Sequence, residues 1–231
     1  MSQQLALELA LKESTTFANY YCNAKNKQLA IILQEVARGR GEQFIYLWGP
    51  TGVGKTHLLQ ACCHVADKLR LSPIYLPFSN IDILKPEMLE GLETLPLACI
   101  DDIDKIAGKP SWEEAFFYFF NRMRDSGKRL IIAGRVPPNE LGIALHDLAS
   151  RLAWGIVFQI QPLSDEEKIQ AILLRAKARG LEVPDSVVQY LIKHWPRDMS
   201  SLFEALEKLD EASLIAKRKL TVRFVKEILT V

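Results

Sequence analysis

The chain has 231 residues, 48% hydrophobic and 25% charged, a composition that fits a globular protein of one large domain or two small ones and excludes disordered and fibrous architectures. Its 29 basic and 28 acidic side chains leave a formal net charge of +1, so no global field holds a nucleic-acid backbone, and any such contact is local or indirect. No apolar run approaches the roughly 20 residues of a bilayer-spanning helix and no secretory signal pattern opens the sequence, which points to a cytoplasmic protein with no membrane partner.

Residues 1–15 carry no turn chemistry and only a short leucine alternation, so a flexible N-terminal tail is expected there. From Phe44 onward, short and mostly apolar runs recur at 44–49, 73–78, 97–103, 129–134 and 156–160. Such runs are expected of strands buried on both faces of a parallel sheet. Helical patterns lie between them. In the clearest, Ser111 and Glu114 are predicted to form a capping box and Gly127 to end the helix, with Phe116, Phe117, Phe119, Phe120 and Met123 in the core.

After Pro162 the strand pattern stops. Ser164 and Glu167 make a second predicted capping box, and Ile169, Ile172, Leu173 and Ala176 give one apolar face to a helix running to Gly180. Further helices are predicted near 185–195, 199–216 and 222–230. The expected organisation is a tail over 1–15, an α/β domain with a five-stranded parallel sheet over 16–163, and a small helical domain over 164–231. The cysteines, Cys22, Cys62, Cys63 and Cys99, lack the spacing of a zinc site or disulfide framework and are expected to be reduced thiols, mostly in the core.

The strongest chemical signal is GPTGVGKT at 49–56, a G-x-x-x-x-G-K-[ST] loop between an apolar strand and a helix. Gly49, Pro50, Thr51, Gly52, Val53 and Gly54 form a turn whose backbone N–H groups can face phosphate oxygens, and the following helix N-terminus favours an anion. Lys55 is expected to reach the β and γ phosphates of a nucleotide and Thr56 to ligate Mg²⁺ through its hydroxyl, with His57 adjoining the site. Asp101 ends the apolar run LACID and is the expected magnesium partner, while Asp102 is placed to orient an attacking water. Alternatively, the two acids cap the next helix.

These motifs resemble the replication-initiator clade of AAA+ proteins, the DnaA/Hda family. The resemblance runs nearly end to end: TFANYYCNAKNKQLA at 16–30, the phosphate loop with His57, Leu58 and Leu59, the acid pair, DLASRLAWG at 147–155 and FVKEIL at 224–229. It implies a bound adenine nucleotide, ADP or ATP, with Mg²⁺. It also implies that Arg151 is an arginine finger presented to the nucleotide of a neighbouring DnaA subunit, where sequence alone leaves an ion pair with Asp147 equally open. A planar, permanently charged guanidinium suits that task.

The segment QLALEL at 4–9 is similar to the family's motif for docking on the DNA polymerase III β sliding clamp. An extended peptide would place Gln4 in a polar pocket and Leu5, Leu7 and Leu9 in an apolar cleft. Glu8 stands where a proline is common. The resemblance therefore implies a regulator of replication initiation that touches DNA mainly through the clamp, and leaves self-association as a homodimer or higher oligomer open. Two departures imply slow hydrolysis of its own nucleotide: Gly134, before Arg135, where relatives carry an aspartate before the arginine, and Ser200 where they carry a nucleotide-reading arginine. The alternative is an autonomous ATPase acting as a helicase loader or motor.

Overall fold

The computed structural model describes residues 15–229. A first helix, α1 (Lys27–Ala37), leads into strand β1 (Phe44–Trp48), helix α2 (Lys55–Lys68) and strand β2 (Ile74–Pro77). Short 3-10 turns between Phe78 and Thr94 carry the chain to β3 (Leu97–Asp101). Then follow α3 (Pro110–Asp125), β4 (Arg129–Gly134), α4 (His146–Leu152) and β5 (Ile156–Gln159). Four helices complete the chain: α5 (Asp165–Ala178), α6 (Asp185–His194), α7 (Met199–Ala216) and α8 (Val222–Leu229).

All five expected strands form one sheet in the order β2-β3-β4-β1-β5, and every neighbouring pair is parallel. The apolar runs are explained by this arrangement, because successive side chains of a strand enter opposite layers. Phe44 and Tyr46 of β1 join Ile100, Leu130 and Ile132 in a core shared with Phe116, Phe119, Phe120 and Met123 of α3. The alternate residues Ile45, Leu47, Cys99 and Ile131 are equally buried on the opposite face, where α2 packs on β3. Among the described residues no helix is long and apolar enough to cross a membrane.

By packing, the described residues form two units interleaved along the chain. One comprises residues up to Phe17, Gln28–Gly49 and Lys55–Ile160; the other comprises Ala18–Lys27, Pro50–Gly54 and the chain from Gln161 onward. The second unit has its own core, with Ile172 and Ala176 of α5, Val187, Val188 and Leu191 of α6, Leu202 and Leu206 of α7, and Phe224 and Val225 of α8. The predicted Ser164 capping box is present: Ser164 Oγ accepts from the Glu167 N–H at 3.2 Å, and Glu167 Oε2 accepts from the Ser164 N–H at 2.8 Å. Within this unit the Asn26 amide pairs both ways with the Gln161 backbone, at 3.0 Å in each direction.

The first predicted capping box is not formed. Helix α3 starts two residues earlier than expected, at Pro110 rather than Trp112, because a fixed φ and a missing N–H suit proline to the first helical position. Ser111 is then inside the helix, and the carboxylate that turns back belongs to Glu113 rather than Glu114. Fully buried, Glu113 accepts from the N–H of Gly108 at 2.8 Å and from those of Ala144 and Leu145 at 3.0 and 2.9 Å. It thereby ties the start of α3 to the residues that open α4. Of the cysteines, Cys62, Cys63 and Cys99 are buried and Cys22 is exposed.

Candidate functional site

The carboxyl ends of β1, β3 and β4 carry the candidate chemistry, as expected where ligands bind open parallel sheets. Beyond β1, Gly52 and Gly54 have φ of 84° and 95°, a region that L side chains rarely adopt. A side chain at Gly52 would also be tightly crowded, since a Cβ there would lie 3.2 Å from the Met199 N and 3.3 Å from the Asp198 Cβ. The loop therefore needs glycine for its backbone and its packing at once. At its end Lys55 is buried, and its ammonium donates to the Gly49 carbonyl at 2.7 Å. Burial pushes the Lys55 ammonium below its usual range, an effect opposed by the charges of Asp101, Asp102 and Asp104.

Thr56 Oγ1 donates to Asp101 Oδ2 at 2.6 Å, so the structure brings together the two residues expected to hold magnesium. The same oxygen accepts from Tyr75 of β2 at 3.0 Å, and Asp101 Oδ1 accepts from the Asp102 N–H, also at 3.0 Å. Asp101 is only 2% exposed, and these donors offset the cost of burying its charge. Tyr75 is a site residue that sequence reading missed. Nothing in its local sequence marks it, because its partner arrives through the register that sets Pro77 beside Asp101.

Asp102 leaves β3 in the left-handed region, φ 56° and ψ 44°, a conformation uncommon for a non-glycine residue. Its side chain does not cap the short turn that follows, so the alternative capping role is absent. Burial, with the charges of Asp101 and Asp104, raises the pKa of the Asp102 carboxyl above the usual aspartate range. Arg135, beyond β4, faces this acidic group and pairs with Asp104 through Nε and Oδ2 at 3.6 Å. The arginine thus adds positive charge beside three carboxylates, and Gly134 before it carries no side chain where an aspartate was expected of relatives. His57 does not stand free: its Nε2 lies 2.8 Å from the Thr16 carbonyl.

The donor set fits a magnesium nucleotide: a glycine loop, a buried ammonium, and the Thr56 hydroxyl at the start of α2 paired with the Asp101 carboxylate at the end of β3. Lys55 would hold the phosphates, with Thr56 and Asp101 holding the ion, which would neutralise charge on the phosphate oxygens. Ser200 is exposed on the first turn of α7, whose N-cap Asp198 accepts from the Ser201 N–H at 2.9 Å. Arg197, three residues earlier, pairs with Asp165 at 3.5 Å.

Arg151 lies in the last turn of α4. It makes no ion pair with Asp147, and its Nε and Nη1 are buried without a hydrogen-bond partner. The guanidinium instead lies over two rings, Trp154 with its centroid 4.8 Å away and Phe117 at 5.2 Å. Phe117 was expected in the core with its α3 neighbours but is only partly buried, and this contact is what it supplies. The tail residues Gln4, Leu5, Leu7 and Leu9 lie outside the described residues.

Comparison with known proteins agrees with this geometry. Residues 11–76 and 82–159 match the family described as the bacterial DnaA ATPase domain, and residues 165–229 match the Hda lid domain. Among solved structures, domain III of the replication initiation protein DnaA from Thermotoga maritima is similar at TM-score 0.80 and 22% identity, covering 94% of this chain and 96% of that one. AMPPCP-bound DnaA from Aquifex aeolicus matches at TM-score 0.72 and 24% identity, over 86% of this chain and 65% of that one. A replication initiator DnaA bound to AMPPCP and single-stranded DNA matches at TM-score 0.71 and 26% identity, over 90% of this chain and 69% of that one.

Proposed function

Because the chain belongs to the bacterial DnaA ATPase family, as a DnaA-related AAA+ regulator with an Hda-type lid, we propose that it completes the hydrolytic site of ATP-loaded DnaA with Arg151 and so restrains replication initiation. The observation that carries this reading is the state of Arg151: in the last turn of α4, with no ion pair and two buried donors unused. A guanidinium in that state can be given to a phosphate without breaking an existing pair.

In this reading the chain's own nucleotide, ADP or ATP with Mg²⁺, is a structural ligand. Gly49–Thr56 and His57 surround it, Thr56 and Asp101 hold the ion, and binding stabilises the fold by mass action. The adenine analogue in the DnaA relatives supports that ligand class. Asp102 retains a position from which it could orient water, while Gly134 in place of the expected sensor aspartate supports slow turnover. Residues 1–15 form the tether, with Gln4, Leu5, Leu7 and Leu9 docking on the DNA polymerase III β clamp, through which DNA is reached. Residues 16–163 then act as the nucleotide-binding domain and 164–231 as the lid.

The test is ATP hydrolysis by separately purified DnaA, with and without this chain and DNA-loaded clamp, using Arg151→Ala as control. Stimulation that requires Arg151 is expected. Robust hydrolysis by this chain alone, with no effect on DnaA, would make it a motor or loader instead.

A further inference from the structure

Arg151 reaches its rings through a local chain device. After α4 the Trp154 N–H donates to the Arg151 carbonyl at 2.9 Å, so the indole sits one tight turn beyond the guanidinium it covers. Gly155 then turns the chain into β5 at φ 74°, pressed so closely on the Phe44 carbonyl that any side chain there would collide with it. Trp154 is anchored from inside as well, its ring standing edge-on to Phe120 of the core at 6.4 Å. The residue as a whole is 46% exposed.

Two arginines share this indole, and they differ. Arg124 lies 5.9 Å from the ring and is paired with Asp125 at 2.8 Å. Arg151 lies closer and is paired with nothing, although Asp147 is one helical turn behind it on α4. An aromatic face attracts the cation but offers no directed acceptor. Buried donors without acceptors are rare in folded proteins, and each one calls for a reason.

We propose that Trp154 is a positioning residue for Arg151: with Phe117 it holds the guanidinium on ring faces, away from Asp147, so that its donors remain unpaired for the phosphate oxygens of a partner's nucleotide. The inference rests on the trans-finger reading and adds how the finger is kept ready. Leaving a ring face breaks no hydrogen bond, whereas leaving a carboxylate would break a charge-assisted one. Trp154 touches no reacting atom and acts only through Arg151.

The experiment compares Trp154→Leu, which removes the π face, with Trp154→Phe, which keeps one, in the full-length chain. Two readouts are taken: the maximal rate and half-saturating concentration for stimulating DnaA hydrolysis, and the NMR shift of the Arg151 Nε–H in the chain alone. Trp154→Leu is expected to lower the maximal rate by about tenfold at nearly unchanged half-saturation, since misplacing a catalytic group costs rate rather than binding. It should also move the Arg151 Nε–H out of its ring-shifted position, and Trp154→Phe should restore most of both effects.

An unchanged maximal rate in Trp154→Leu, or an unmoved Arg151 resonance, overturns the proposal. A rise in half-saturation alone would make Trp154 a contact with DnaA and would overturn it too. Should Trp154→Leu melt early, Trp154→Phe and the Arg151 resonance decide. If Arg151→Ala itself leaves stimulation intact, the trans-finger reading fails; if only Trp154→Leu does, that reading stands and the positioning role falls.

Discussion

Thr56 and Asp101 lie 45 residues apart in sequence and meet across 2.6 Å, hydroxyl to carboxylate, where the first turn of α2 faces the end of β3. In the proposed reading this pair holds magnesium. Asp101→Asn should therefore abolish the dependence of nucleotide binding on magnesium. Titration calorimetry with and without chelator should give wild-type affinities differing by about tenfold and variant affinities that coincide. A chelator effect that survives in Asp101→Asn would remove this residue from the ion.

Lys55 is buried against the Gly49 carbonyl with its charge disfavoured, so the free chain gains little from keeping it. Lys55→Ala is expected to weaken adenine-nucleotide binding by roughly 100-fold, the scale of a lost charge-assisted contact to phosphate. Thermal melting without nucleotide should change by only a few degrees. Undiminished binding would place the phosphates elsewhere.

Glu113 serves three backbone N–H groups from the interior, at Gly108, Ala144 and Leu145. Glu113→Ala leaves three backbone donors without their carboxylate acceptor and should cost about 2 kcal/mol in unfolding free energy, read by urea titration. Glu113→Gln, which keeps one carbonyl oxygen, should cost less. Equal stability of all three proteins would mean that water replaces the carboxylate.

Asp198 caps α7, and its hydrogen bonds to the backbone and side chain of Ser201 hold its carboxyl below the usual aspartate range. Asp198→Ala should destabilise the helical unit by about 1 kcal/mol at pH 7. Because the folded pKa is depressed, this stabilisation is fully present above the unfolded value of about 3.9 and is lost as pH falls through the folded one. The gap between wild type and variant should close on acidification below about pH 4. A gap independent of pH would show that packing, not the charge, sets the cap's value.

What could be read in the sequence was whatever depends on neighbours along the chain. The five strands are legible because burial on both faces demands unbroken apolar runs such as LACI and RLIIA, and the glycine loop because its backbone requirement is local. Ser164 with Glu167 is legible for the same reason, whereas Ser111 with Glu114 was a false match, the helix start being displaced by two residues to Pro110. Tyr75, Glu113 and Trp154 were not legible in their roles. A phenol on Asp101 depends on strand register, and a buried carboxylate among charged helix residues looks like any surface acid. Phe117 fits the apolar stripe of α3, and only the approach of α4 turns it into a partner for a cation.

The distribution of the four thiols makes the chain chemically addressable at one point. Cys62 and Cys99 are sealed in the interior, and burial drives their thiols far from ionisation; Cys63 is buried beside them. Cys22 alone is exposed, and partial burial raises its thiol somewhat, with the neighbouring Lys27 charge working against that rise. Since the thiolate is the reacting species, a maleimide at mildly alkaline pH should attach a single dye there without mutagenesis. The segment that flanks the phosphate loop can thus carry an optical reporter of nucleotide exchange in the unaltered protein.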